Sequence, residues 1–390
     1  MSEHVIPYSR QDISQADIDA VINVLRSDWL TQGPAVPAFE SAVATKCGAA
    51  YGVAVNSATS ALHLACLALN VGPGDTVWTS PNTFVASANC ALYCGAAIDF
   101  VDIDPHTWCL SAEALHQKLV LANTTSAPLP KVVIPVHFAG QSCDMAAIAQ
   151  LAKEYGFRII EDASHAIGGR YDNAPVGNCR YSDITVFSFH PVKIVTTGEG
   201  GMALTNDPRL AAHMRRLRSH GITRDPAMMT RKPDGPWCYE QIELGFNYRM
   251  TDMQAALGLS QLGRLDEFIA RRHALAARYD AALENLPVAR PSRCPESRSA
   301  WHLYVIRLRL DRIKATQKAV IDAMRFAGIG VNMHYIPVHR QPYYARLLSG
   351  RGPWPEADRY YAEAMSLPMY PALTDAEQDR VIAALQEAAQ

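Results

Sequence analysis

An excess of charge of either sign is absent from this sequence. Its 36 lysines and arginines stand against 38 aspartates and glutamates, for a formal net charge of −2. Neither end carries a basic arm or a long run of like charges. A surface able to neutralise several successive phosphates is therefore missing, and no nucleic-acid partner is expected. Long apolar runs are absent too: no segment offers the ~20 consecutive apolar residues that a bilayer crossing needs. The first ten residues, Met1 to Arg10, lack an apolar stretch of signal-peptide length. These absences predict a cytoplasmic protein without a membrane partner. Paired cysteines are missing as well. The nine cysteines are odd in number and show no C-x-x-C spacing, so neither a disulfide framework nor a thiolate metal site is expected. Cys90 and Cys94, the nearest pair, would share a helix face. Their neighbours Ala91, Leu92 and Ala96 favour small buried hydrophobes over a metal or redox role.

What is present is apolar material. Hydrophobic residues make up 49% of the 390 and charged residues 19%, enough for one large core and a smaller second one. Small-molecule chemistry is the function class that fits. Residues 14–27 open with Ser14 as N-cap and place Ile18, Val21, Ile22 and Leu25 at helical spacing, and the loop 28–34 stops that helix. Short apolar runs then recur at residues 53–55, 76–79, 97–101, 132–136, 158–160 and 184–189. Several are apolar throughout, as strands covered on both faces must be. Between them, residues 57–69, 83–93 and 144–155 read as crossover helices, which predicts an α/β fold with a mostly parallel sheet. Residues 224–237, rich in Pro, Met and charge, read as a long surface or interface loop. Beyond it the pattern predicts a long helical stretch over 251–286, a strand at 301–310, a helix at 315–327, a strand at 329–335 and a closing helix at 374–389. The expected organisation is a large domain over residues 1–250 and a smaller α+β domain over 251–390. No internal repeat or low-complexity tract interrupts it.

Three polar clusters fall at predicted strand ends, where open α/β sheets bind ligands. In Phe187-Ser188-Phe189-His190-Pro191-Val192-Lys193 an apolar strand delivers one lysine, and a glycine-rich turn and another apolar strand follow. A desolvated lysine there could act as an amine nucleophile; an isolated one is more often a snorkelling surface group. In Ile160-Glu161-Asp162-Ala163-Ser164-His165 an aspartate could hold a protonated ring nitrogen, and a histidine three residues on would lie on the same side of the turn. Helix capping is the ordinary alternative for Asp162, and a backbone hydrogen bond that for His165. In Asn56-Ser57-Ala58-Thr59-Ser60 a strand runs into a helix through small hydroxylated residues, suited to a phosphate and equally to a plain N-cap.

A phosphate cradle, an acidic strand end and a lysine strand end, in that order along one parallel-sheet domain, resemble the fold-type I pyridoxal-phosphate enzymes. More narrowly the chain resembles the DegT/DnrJ/EryC1/StrS family of sugar-nucleotide aminotransferases, over nearly its whole length. The segments that carry the resemblance are Leu30-Thr31-Gln32-Gly33, Asn56 to Leu64, Asp162 to Ala166, Phe187 to Lys193, Arg218-Ser219-His220-Gly221 and Asn332 to His339. The family often has Gln where His165 stands; the histidine is similar to members serving pseudaminic acid biosynthesis.

The resemblance implies pyridoxal 5′-phosphate as cofactor and Lys193 as the lysine that binds it covalently and then shuttles the proton. It implies Asp162 on the pyridine nitrogen, His165 against the ring or its phenolic oxygen, and Phe84 stacked on the opposite face. Phe84 reads nearly as well as ordinary core. Ala58, Thr59 and Ser188 would bind the phosphate, joined by Asn247 of a neighbouring subunit, so that a homodimer would share its active sites. Tyr8 and the loop Asp28, Trp29, Leu30 and Thr31 would touch the sugar nucleotide, as would Ala58 and Ser188. His334 and His339 would line the entrance; a metal reading of these two lacks a third ligand nearby, and Pro337 interrupts any helix that would aim them together. The implied reaction takes an amino group from L-glutamate to C4 of a UDP-linked 4-keto-6-deoxy-N-acetylhexosamine, on the route to pseudaminic acid. The same chemistry at C3 or C4 of a GDP- or dTDP-sugar is the nearest alternative. Dehydratases of this fold carry histidine in place of Lys193, and a cofactor-less regulator would need a damaged site.

Overall fold

The computed structural model of the protein describes residues 5–389; residues 1–4 of the N-terminal segment read above, and residue 390, lie outside it. Its central sheet has seven strands: β1 (Tyr51–Val55), β2 (Thr76–Thr79), β3 (Ala97–Phe100), β4 (Val132–Ile134), β5 (Arg158–Asp162), β6 (Ile184–Ser188) and β7 (Gly201–Thr205). They lie side by side in the order β1-β7-β6-β5-β4-β2-β3. Strands β3, β2, β4, β5 and β6 pair in parallel, whereas β7 runs antiparallel to both β6 and β1. Every residue of β6 and β7 is buried. That is why these segments read as apolar runs without alternation.

The helices begin where side chains can satisfy their first amides. Ser14 caps α1 (Gln15–Leu25) in a capping box with Asp17, Ser57 caps α3 (Ala58–Ala68), and Asp144 caps α6 (Met145–Tyr155). Helix α2 (Ala35–Cys47) is a finding the residue pattern does not announce. Its N-cap is Pro34 and it has no side-chain cap of its own. The missing acceptor comes from Asp252, whose carboxylate receives the Gly33 and Ala35 amides at 3.0 and 2.9 Å from the far side of the sequence. Helices α4 (Ala86–Tyr93) and α5 (Ala112–Thr124) complete the covering of the parallel strands, and α7 (Pro208–Leu217) packs near β1.

The helical stretch expected over 251–286 is two helices, α8 (Asp252–Gly263) and α9 (Leu265–Ala282), meeting at Arg264. Leu265, Phe268 and Ile269 of α9 pack with α2 and with Met202 and Leu204 of β7. Leu275, Ala276 and Tyr279, farther along the same helix, pack in a second core. That core is built on a three-stranded antiparallel sheet of β8 (Val288–Ala289), β9 (Tyr304–Leu308) and β10 (Ala364–Leu367). Helices α10 (Gln317–Phe326) and α11 (Asp375–Ala388) cover it. One helix thus runs through both cores.

Residues 329–335 do not form the expected strand. They make only isolated bridges, Ile6 with Ile329 and Asn332 with Ser366, and the backbone is otherwise irregular. Ile329 and Val331 pack into the second core, and residues 332–335 face the cavity described below. The loop at 224–237 is surface, as its composition suggests, with a single 3-10 turn at Pro226–Met228 and Trp237 exposed. Cys90 is buried and Cys94 part-buried. Among the described residues no helix is long and apolar enough to cross a membrane.

Asp252 is buried and accepts the Gly33 and Ala35 amides at the start of another helix, so Asp252→Ala should cost about 1–3 kcal/mol. Urea unfolding would detect the loss, and an unchanged midpoint would show that water replaces the carboxylate fully.

Candidate active site

The C-terminal ends of β1, β5 and β6 open into a cavity of about 750 Å³ that reaches across to residues 332–335 of the smaller unit. At its β1 end lies the start of α3. Ser57 is extended, and its Oγ accepts the Ser60 amide at 3.1 Å, while Ser60 Oγ donates to Asn56 Oδ1 at 2.7 Å. Ala58 and Thr59 are left as first-turn residues whose amides have no acceptor within the helix. Gly201 brings β7 against this point: a Cβ there would stand 2.5 Å from the Ser57 carbonyl and 2.6 Å from the Ala58 nitrogen. Small residues on both sides keep open a concave, amide-lined place for an anion such as a phosphate.

Asp162, the last residue of β5, is buried and held from two sides. Ser87 Oγ donates to Oδ2 at 2.6 Å, and the Ser164 amide donates to Oδ1 at 3.1 Å. With its proton committed, Ser87 accepts from Thr83 Oγ1 at 2.7 Å. Lys193 follows β6 in the turn toward β7. Its side chain retains some accessible surface, but the cleft desolvates the ammonium and lowers its pKa to about 8, against the opposing pull of Asp162. A lysine so placed is largely charged at neutral pH yet gives up its proton at small cost.

Four histidines line the cavity, His165, His190, His302 and His334, and burial holds His165, His302 and His334 in the neutral form. Burial, and then the charge of Lys193, pushes His334 down to about 3. Burial is also the leading reason why His165 and His302 lie well below the usual histidine range, with Lys193 and neighbouring histidines adding to it. The His165 and His302 rings lie 4.4 Å apart. His165 Nδ1 faces the Ala139 amide at 3.3 Å and its Nε2 faces the Tyr335 hydroxyl at 3.1 Å. His334 bonds Ser366 Oγ through Nδ1 at 2.8 Å, and its ring lies 5.3 Å from that of Tyr8.

The expected site residues separate into two groups. Tyr8, Ala58, Thr59 and Phe84 line this one cavity, as do Asp162, His165, Ser188, Lys193 and His334. Phe84 is 59% exposed, far from ordinary core. The remaining residues lie elsewhere in the chain's own fold. Trp29 and Leu30 are exposed, Asp28 sits beside them, and Thr31 bridges Thr251. Asn247 is exposed and bridges Ser219. His339 bonds Asp358 at 2.9 Å and faces Trp354, away from the cavity lining. Residues that the sequence reading passed over include Ser87, behind Asp162, and His302 and Tyr335. Tyr335 sat inside a quoted motif without a role, and His302 had no motif around it. A second, separate hollow lined by Arg290, Arg293, Arg309 and Arg312 shares no residue with the cavity and gathers no nucleophile.

A sequence profile of the DegT/DnrJ/EryC1/StrS aminotransferase family matches residues 11–386. The chain is 40% identical over 387 residues to the spore coat polysaccharide biosynthesis protein SpsC of Bacillus subtilis, covering 98% of this chain and 97% of that one. Among solved structures it is similar to Helicobacter pylori PseC, an aminotransferase involved in the biosynthesis of pseudoaminic acid. There the TM-score is 0.89 at 28% identity, with 99% of each chain covered. It is similar also to the PLP-form of Spr1654 from Streptococcus pneumoniae, with a TM-score of 0.87, 30% identity and 99% of each chain covered.

Two outcomes are expected. Gly201→Ala, which drives a methyl into the α3 start, should weaken binding of pyridoxal phosphate roughly tenfold in equilibrium dialysis; unchanged affinity would mean the helix start is not the phosphate's place. The second concerns acid. His334 titrates near 6.5 when unfolded and near 3 when folded, so the unfolded state takes up its proton first. The stability it contributes is whole above pH 6.5 and falls progressively toward pH 3. At pH 5 the loss should approach ~2 kcal/mol, and the pH dependence of unfolding should be shallower in His334→Asn. Equal slopes in both proteins would refute the neutral-histidine account.

Proposed function

The chain belongs to the DegT/DnrJ/EryC1/StrS family of pyridoxal-phosphate-dependent sugar aminotransferases, and from that premise we propose that it moves an amino group from L-glutamate to C4 of a UDP-linked 4-keto-6-deoxy-N-acetylhexosamine. The product is a UDP-4-amino sugar on the route to pseudaminic acid, made in the cytoplasm. The observation that carries the reading is the meeting, in one cavity, of a desolvated lysine, a buried aspartate and a helix start with free amides. The likeness to PseC supports the choice of sugar.

The residues fit the cofactor part by part. Ala58 and Thr59, with Ser188 at the end of β6, take the phosphate, and the buried Asp162 carboxylate takes the protonated ring nitrogen. Bound there, pyridoxal phosphate supplies an electron sink for the bond being broken at the donor's Cα. Lys193 Nζ is the base that removes the Cα proton and the acid that returns it, which its lowered pKa allows near neutrality. Ser87 and the Ser164 amide keep the Asp162 carboxyl aimed while this happens. The neutral His165, His302 and His334 are poor proton acceptors, which favours Lys193 over them as the proton carrier. Tyr8 and His334 line the same cavity and would contact the sugar. Asn247 and the loop 28–31 complete the site by belonging to a homodimer whose copies share their cavities; their exposed positions leave them available for it.

The test is the absorption spectrum of the purified protein before and after adding UDP-4-amino-6-deoxy-N-acetyl-altrosamine, and again with Lys193→Ala. The band of lysine-bound cofactor should disappear into that of the pyridoxamine form, and Lys193→Ala should cut turnover on the order of 10³-fold or more. A band that glutamate converts and this sugar leaves untouched would move the assignment to a GDP- or dTDP-sugar, or to C3. No band at all would overturn it.

A further inference from the structure

The hydrogen-bond order around His165 assigns a role to Tyr335. The turn Phe138–Gly140 that follows β4 holds Ala139 at φ 57, in the left-handed region that a residue with a Cβ enters only at a cost. Held so, the Ala139 amide donates to His165 Nδ1 at 3.3 Å. A neutral imidazole that accepts at Nδ1 must carry its hydrogen on Nε2. Nε2 therefore donates to the Tyr335 oxygen, 3.1 Å away. Tyr335 has no other hydroxyl partner among the described residues. With its oxygen accepting from His165, its own hydrogen is free to point into the cavity.

Strand order says what that hydrogen meets. In the sequence β1-β7-β6-β5-β4, the α3 start beside Gly201 lies on one side of Asp162, and the Phe138–Gly140 turn lies on the other. On the cofactor's pyridine ring, the phosphate arm and the phenolic oxygen sit on opposite sides of the ring nitrogen. A ring with its phosphate at α3 and its nitrogen on Asp162 turns its phenolic oxygen toward the β4 side. We propose that Tyr335, and not His165, donates the hydrogen bond to that oxygen, and that His165 is the positioning residue that orients the Tyr335 hydroxyl. This inference rests on the function proposed above. Burial and the nearby Asp162 raise the tyrosine's pKa, so it stays a donor throughout the working range. The backbone is steadied by Tyr360, whose hydroxyl donates to the His334 carbonyl at 2.6 Å, and the Tyr335 amide faces Asn82 Oδ1 at 3.4 Å.

The experiment is a spectroscopic pH titration of bound pyridoxal phosphate in the full chain, with Tyr335→Phe, His165→Ala and the double variant. An anionic oxygen that loses its donor holds the adjoining proton more tightly, so the pH at which the band changes should rise. Tyr335→Phe keeps the ring and its packing and should raise it by about one unit. His165→Ala should raise it by less, and the double variant should match Tyr335→Phe alone, because the two act in series. An unmoved transition in Tyr335→Phe, or a larger shift in His165→Ala than in Tyr335→Phe, would overturn the assignment while leaving the aminotransferase standing. Absence of any cofactor band from the unsubstituted protein would overturn the function on which the assignment rests.

Discussion

The rest of the site depends on one electrostatic compromise, the burial of the Lys193 ammonium within the field of Asp162. Desolvation alone would drive the lysine toward its neutral amine, and the carboxylate draws it back, so that the balance falls at about 8. Either extreme would be useless: a fully solvated lysine holds its proton too firmly, and a fully isolated one would not carry charge at all. The compromise requires the two residues to be placed from different strands. Asp162 closes β5 and Lys193 follows β6, and these strands are parallel neighbours in the sheet. The sheet fixes their separation, while Ser87 and the Ser164 amide fix where the carboxylate points.

A cation in a low-dielectric cleft constrains everything else there. Burial first, and then repulsion from that charge, keeps His165, His302 and His334 neutral, His334 titrating only near 3. Arg272 shows how the protein keeps a necessary cation off that wall. Its guanidinium is buried with a pKa lowered to about 9, and Nη1 donates to the carbonyls of Trp301, His302 and Met369, each at 3.1 Å. Backbone dipoles stand in for a carboxylate, and the chain behind His302 is clamped as a result. Gly140 permits this close fit, since a Cβ there would stand 2.8 Å from the Trp301 nitrogen and 3.0 Å from the His165 carbonyl.

How much of this was legible depended on whether its cause was local. Strand β2 was readable to the residue, and α3 and α6 nearly so, because apolar runs and the N-caps Ser57 and Asp144 sit beside the elements they define. Lys193, Asp162 and the 57–59 segment were legible because strand ends carry polar residues for a reason. Helix α2 was not, since its capping acceptor Asp252 is distant in sequence and close only after folding. The break between α8 and α9 gave no strong signal either, as the helical period continues across Arg264. His302 and Tyr335 were passed over for the same kind of reason. Each owes its place to a long-range partner, Arg272 for the first and His165 for the second.

The same distinction divides the site by function. The groups that would hold the cofactor stand on the ends of regular strands and the start of a helix, where periodic sequence and backbone geometry coincide. The groups on the opposite wall of the cavity stand on irregular chain: Tyr8 and residues 332–335 belong to no regular element. They are stitched into place by backbone bonds between distant segments, Gly330 to the Ile6 carbonyl at 2.7 Å and Met369 to the Tyr8 carbonyl at 3.0 Å. Regular elements tolerate little local change, because one residue's shift propagates along the strand or helix. A stitched irregular wall can change its side chains, and even its path, without disturbing Lys193 or Asp162. A fold built this way can keep one amine-transfer chemistry while the irregular wall of the cavity diverges, which accords with relatives of differing named roles sharing nearly the whole chain.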